Sequence, residues 1–212
     1  MLLAEYLSGT FVALLVIVDP PGLAPIFLSL TVGMSRAERA QVANRASIIA
    51  AGVLIFFGLV GAPILGFLGI SIPAFRIAGG LLLFWIAFEM LFERRNQRKS
   101  STARLAIDAD HIRNVAAFPL AIPLMAGPGA ITASILTAES ARGDPLRIGG
   151  FVAIVAIIMA LCWLVFRAAD RIAGLLGVTG NIVLTRLLGL LLAALAVQFV
   201  IDGVRAAFLA GG

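Results

Sequence analysis

Six runs of roughly twenty mostly apolar residues decide what this chain can become. They cover about 7–30, 46–68, 71–92, 116–137, 148–168 and 181–203. A helix of about 20 apolar residues crosses the hydrocarbon core of a bilayer. Inside that core every backbone N–H and C=O must be satisfied within the protein, which a helix does by itself. The expected fold is therefore all-α and polytopic, with six transmembrane helices. Composition agrees: 61% of the 212 residues are hydrophobic and 13% charged, against about 25% charged in soluble domains.

The net charge of +5 would suggest nucleic acid in a soluble protein. Here arginines in loops facing anionic lipid account for it, so membrane lipids and not nucleic acid are the expected partners. The connections after the first, third and fifth runs hold eleven basic residues (Arg36, Arg39, Arg45, Arg94, Arg95, Arg98, Lys99, Arg104, Arg113, Arg167 and Arg171), and the opposite side holds three (Arg142, Arg147 and Arg205). The positive-inside bias puts those connections in the cytoplasm and both termini in the periplasm of a bacterial inner membrane. Cys162 is the only cysteine and His111 the only histidine, so neither a disulfide framework nor a transition-metal site is expected. No cofactor is implied. The N-terminus lacks a basic region and a small-residue cleavage site, so the first run is read as retained.

The first and fourth runs are interrupted. "DPPG" (19–22) breaks the first and "AGPG" (126–129) the fourth, with Pro21-Gly22 falling on Pro128-Gly129 at an offset of 107 residues. Leu30-Thr31 falls on Leu136-Thr137 at an offset of 106, and "RIAGGLLL" (76–83) on "RLLGLLLA" (186–193) at 110. Three matches in order at nearly constant offset point to a repeat: residues 1–92 and 115–212, joined by a polar cytoplasmic linker, 93–114. That linker holds too few apolar residues to pack alone and reads as a tether or short surface helix. Because each half has three runs, the second enters the membrane from the other side. The result is two inverted three-helix repeats with discontinuous first and fourth spans, an arrangement common among secondary transporters.

A single kink in a membrane helix is ordinarily a packing feature. Two at matching positions, one carrying an acid, point further. Pro20, Pro21 and Pro25 deprive the carbonyls of Val16, Ile17 and Pro21 of their helical donors, and Pro128 does the same to Leu124. Such groups must be buried in protein or line a cavity. Each new half-helix also begins with free N–H groups and a partial positive charge. The expected substrate site is therefore walled by Asp19, Pro20, Pro21, Gly22 and Pro25 on one side and Gly127, Pro128 and Gly129 on the other. Thr31 and Thr132 follow the breaks as candidate ligand hydroxyls. Arg76 and Arg186, equivalent positions in the third and sixth runs, are candidate anion anchors at opposite faces; snorkelling to headgroups is the plainer account. Glu89 is expected at an interface.

"DPPGLAPIFLSLT" (19–31), "FRIAGGLLLFWIAFEML" (75–91) and "FPLAIPLMAGPGAITASIL" (118–136) resemble the signatures of the MarC family of bacterial inner-membrane proteins, often grouped with LysE-like exporters. The resemblance implies a six-span membrane protein with no settled substrate. Family members commonly have Asn where this chain has Asp19, which implies a helix-capping acceptor more than an obligatory proton carrier.

These readings together predict a transporter or exporter of a small anionic or polar substrate, working by alternating access of the two repeats. Movement of an anionic lipid or lipid-linked phosphate is the alternative within the class, and a non-transporting accessory or structural protein the alternative outside it. A homo-oligomer is compatible with the sequence. An intramembrane enzyme is not expected: it needs a Ser–His pair, an HExxH motif or two buried acids, and Asp19 is the one acid near the centre of a run.

Overall fold

The structure, a computed structural model, describes residues 2–95, 98–101 and 115–209. Among them it is all-helical. Helix α1 runs Leu3–Val18, α2 Pro20–Leu30, α3 Arg36–Phe67 and α4 Ile72–Leu91. An irregular segment follows at Ala116–Met125, then α5 at Pro128–Ser140, α6 at Pro145–Arg167 and α7 at Ala169–Leu209. Among the described residues five stretches are long and apolar enough to cross a membrane, counting Leu3–Leu30 as one, and a sixth if the bent pair Ala116–Met125 and Pro128–Ser140, which meet at 62°, is taken as one span.

Local chemistry sets the boundaries. Ser35 caps α3 and pairs with Glu38 in a capping box, Ser71 caps α4, and Asp144 caps α6. These caps satisfy first-turn N–H groups that have no partner within the helix. Proline occupies the first turns of α2, α4, α5 and α6, where its missing N–H costs nothing.

Two expected spans differ in detail. The fourth is not a helix with a central break. Its first part is extended at Phe118 and Ile122, because Pro119 and Pro123 each remove a donor and exclude the preceding residue from helical geometry. The sixth lies within the 41-residue α7, which breaks at Gly177, at φ 57°; its apolar part is Thr179–Phe208.

The buried core draws on α1, α2, α3, α4, the 116–125 segment, α5 and α6, with a smaller share from α7. Helices α4 and α7 pack along each other at small residues: a methyl at Gly80 would lie 2.8 Å from the Ala196 carbonyl oxygen, and one at Gly189 2.8 Å from Met90 Cβ. Close backbone approach of this kind stabilises helix pairs in lipid, where apolar transfer gives no driving force. Their outer faces carry Phe84, Trp85, Leu187, Leu190 and Leu191, all exposed, as lipid contact requires.

Candidate functional site

Asp19 lies between α1 and α2 in the left-handed region, at φ 58° and ψ 64°. Asp is among the few residues other than glycine that adopt it readily. One carboxylate oxygen accepts a hydrogen bond from the Gly22 N–H at 3.2 Å, capping α2. A methyl group at Gly22 would lie 2.2 Å from the other oxygen, so the carboxylate needs glycine there. Asp19 is completely buried.

The countercharge comes from the stretch after α4. Residues 94–95 and 98–101 are helical, and they turn two cations inward. Lys99 Nζ lies 3.8 Å from Asp19 Oδ2. The Arg95 guanidinium donates to the Ile17 carbonyl, one of the oxygens that proline leaves without a helical donor. Arg95 and Lys99 are 5% and 6% exposed. Arg98, more exposed, pairs with Glu89 at 2.9 Å. The sequence puts 93–114 in a tether or on the surface; its described part instead inserts two charges into the core, because the acid and the freed carbonyl need partners that lipid cannot supply. Residues 96–97 and 102–114, His111 included, lie outside the described residues. Glu89, expected at an interface, is buried and held by Arg98.

Between these cations and the second break is a cavity of about 260 Å³. Arg95, Arg98 and Lys99 line it on one side, and Pro123, Gly127, Pro128 and Gly129 on the other, with Ile17 and Ile86 between. Gly127 begins α5 without any side-chain cap. Two close contacts hold this end in place: a methyl at Gly127 would meet the Pro123 carbonyl oxygen at 2.6 Å, and one at Gly129 would meet Ile86 Cδ1 at 2.5 Å. Tyr6 ties α1 to α5 by donating from its hydroxyl to the Thr137 carbonyl at 3.1 Å. Among the described residues no group of acids, cysteines and histidines could hold a metal.

The structure thus brings together Gly127, Pro128 and Gly129 from one break and Ile17 from the other, with Asp19 behind Lys99. Pro20, Pro21, Gly22 and Pro25 shape the joint without lining the cavity; Pro25 faces outward. Thr31 donates its hydroxyl to the Phe27 carbonyl at 2.8 Å, closing its own helix. Thr132 packs against Gly79. Arg76 lies in the first turns of α4, while Arg186 pairs with Glu93 beyond its other end, and neither lines the cavity. The residues that sequence reasoning left out are Arg95, Arg98 and Lys99. The sequence signalled that the carbonyl and carboxylate at the first break require a donor, but not that 94–99 supplies it, since Arg36, Arg39 and Arg45 lie nearer along the chain.

Comparison with known proteins places this arrangement. The description "MarC family integral membrane protein" matches residues 4–208. A UPF0056 membrane protein of Methanocaldococcus jannaschii is 38% identical over 210 residues, 97% of this chain and 98% of that one. The corresponding protein of Archaeoglobus fulgidus is 38% identical over 204 residues, 95% of this chain and 94% of that one. The UPF0056 membrane protein YhcE of Escherichia coli is 36% identical over 198 residues, 93% and 91% of the two chains. No solved structure matches.

Proposed function

This chain belongs to the MarC family of integral membrane proteins, and we propose that it is a secondary transporter for a small anionic or polar solute. The observation that carries the reading is the cavity where Arg95, Arg98 and Lys99 face the uncapped start of α5. Fixed cations and free N–H groups converging on one space attract an anionic group.

Alternating access of two inverted halves is supported by how the helices touch. α3 contacts the 116–125 segment and α5, and α6 contacts α1 and α2 in the same way. α4 contacts α5 as α7 contacts α2, and the pairs α3–α6 and α4–α7 each map onto themselves. Exchange of the halves preserves these pairs, though the contacts of α1 with α5 and α7 have no equally close counterpart, and the shared pairs support the repeat reading. The size of the cavity favours a small solute over a lipid headgroup: about 260 Å³ is below the roughly 300–1,000 Å³ of drug-sized sites. The charge bias supports a bacterial inner membrane with both termini outside. A reporter fused at residue 100 then works only in the cytoplasm and one at 212 only in the periplasm; the reverse pattern overturns the orientation.

Uptake into liposomes containing the purified chain tests the function, with a panel of small carboxylates and phosphates beside lipid phosphates. Saturable uptake of a small anion is expected, with KM raised about tenfold in Lys99→Gln, the loss of about 1.4 kcal/mol of binding. No saturable uptake or counterflow of any small anion overturns the reading. Movement of lipid phosphates alone replaces it with lipid translocation.

A further inference from the structure

A second and larger concavity, about 800 Å³, lies away from the breaks. It is about three times the volume of the first. Its walls are the end of α2, the first turn of α3, and the corner where α6 gives way to α7. Four arginines line it: Arg36 and Arg39 from α3, Arg167 from the end of α6, and Arg171 from the start of α7. Asp170 is the one acid lining it, and it is shared with Arg39 at 3.5 Å. Glu38, in the same turn of α3, is committed to the Ser35 capping box. The groove therefore carries an uncompensated charge of about three.

We propose that this groove is a binding site for the phosphate headgroup of an anionic phospholipid. Two features fit that ligand, the guanidinium geometry and an apolar floor. Guanidinium groups hold phosphate oxygens in pairs through parallel N–H bonds, which a lysine cannot do. Helices α3 and α7 begin at the groove while α2 and α6 end there, so the helix dipoles offset one another and the arginines set its potential. The floor is apolar: Phe27 stacks on Phe166 with ring centroids 4.6 Å apart, and Leu164 on the same wall is 52% exposed. A free phosphate has no use for that wall, whereas the first carbons of an acyl chain do. Arg167 is held ready by its stack on Trp163, 5.5 Å from the ring centroid. Arg39 keeps its Nε buried and without a hydrogen bond among the described residues.

The site is separate from the cavity at the breaks, so its fate does not depend on what the protein transports. The charge asymmetry of the loops puts the groove on the cytoplasmic side, where anionic lipid is recognised by basic pockets between helices. The volume and the four arginines suit a headgroup with two phosphates better than one with a single phosphate.

Native mass spectrometry of the full chain, released from nanodiscs of mixed phosphatidylcholine, phosphatidylglycerol and cardiolipin, tests this. Wild type is expected to retain anionic lipid over phosphatidylcholine by about tenfold or more, with cardiolipin ahead of phosphatidylglycerol. Arg39→Gln with Arg171→Gln should abolish the preference. Arg45→Gln with Arg142→Gln, two arginines outside the groove, should leave it. Arg39→Lys with Arg171→Lys keeps the charge and removes the paired geometry. It should lose most of the preference, and it carries the test if the glutamine pair does not fold. Equal loss in the control pair would mean diffuse attraction and overturn the site. Retention of the preference in both groove pairs would overturn it too. Complete displacement of lipid by millimolar inorganic phosphate would show a free-anion site and overturn the lipid assignment.

Discussion

The two proline-glycine breaks begin from similar sequence and end in opposite electrostatic states. At the first, "DPPG" supplies its own acid. Asp19 adopts the left-handed turn, caps α2 through Gly22, and is answered by Lys99, while Arg95 takes the carbonyl of Ile17. At the second, "AGPG" offers no side-chain cap, and α5 starts open towards the cavity. One break is closed by the chain itself, and the other leaves its first-turn N–H groups facing the cavity. The difference comes from a single side chain: a carboxylate buried in an apolar surround requires a cation, and Ala126, which stands in its place at the second break, requires nothing.

The largest expected effect comes from removing that cation. Lys99→Met leaves the Asp19 carboxylate without its ion pair in the core, and breaking a buried pair from one side typically costs about 3–5 kcal/mol. The detergent unfolding midpoint should fall accordingly. Adding Asp19→Asn to Lys99→Met should restore much of the loss, since no unpaired carboxylate is then left behind, while Arg95 keeps its carbonyl partner at Ile17. An unchanged midpoint in the single variant would remove the claim that the first break is electrostatically closed.

Next come the two glycines that hold the breaks in shape. Gly127→Ala sets a methyl 2.6 Å from a backbone oxygen, that of Pro123, which cannot swing aside. Overpacking of this kind costs about 1–3 kcal/mol, and here it also displaces the open end of α5. Gly22→Ala meets the Asp19 carboxylate at 2.2 Å, a side chain that can rotate, at the expense of its cap. Stability should therefore fall further in Gly127→Ala, while thermal protection by a bound anion is lost only there. Protection retained in Gly127→Ala and lost in Gly22→Ala would reverse the roles assigned to the two breaks.

The cap itself is worth less. Asp19→Asn keeps an oxygen for the Gly22 N–H but withdraws the charge opposite Lys99, whereas Asp19→Ala loses both. The gap between the two variants combines the cap, about 0.5–2 kcal/mol, with the cost of holding alanine in the left-handed turn at φ 58°. Equal midpoints would mean that the hydrogen bond at 3.2 Å adds nothing beyond the ion pair.

How much of this was legible before the structure follows from the range of the interactions involved. Pro20-Pro21 and Pro128 announce breaks because proline acts on its own backbone, so both joints were readable locally. The cap at Asp19 was readable for the same reason. The cations were not, because Arg95 meets a carbonyl 78 residues away and polar composition alone assigns 93–114 to a tether. Nor does an apolar run reveal that 116–125 fails to be a regular helix: the extended turns at Phe118 and Ile122 come from Pro119 and Pro123, a local signal that hydropathy passes over. Hydropathy reports how much surface must avoid water, and not which helix supplies a buried charge with its partner.

The smallest effect is expected at Arg186, and it tests whether the comparison of the breaks needs any help from the ends of α4 and α7. Equivalent placement in the two repeats made Arg76 and Arg186 attractive as anion anchors. Arg186 instead pairs with Glu93, with its side chain 55% exposed, where solvent and headgroups screen the pair. Exposed ion pairs are worth about 0–1 kcal/mol, so Arg186→Gln should move the unfolding midpoint little. Its uptake KM should stay within about twofold of wild type, because the guanidinium does not line the cavity and any field from it is screened over about 8–10 Å. Salt separates the two explanations of any residual effect. A contribution from the surface pair fades at high ionic strength, whereas an anchor that touches the solute keeps its effect on KM. A KM rise of tenfold that survives high salt would return Arg186 to the site and require the solute to pass along the α4–α7 seam.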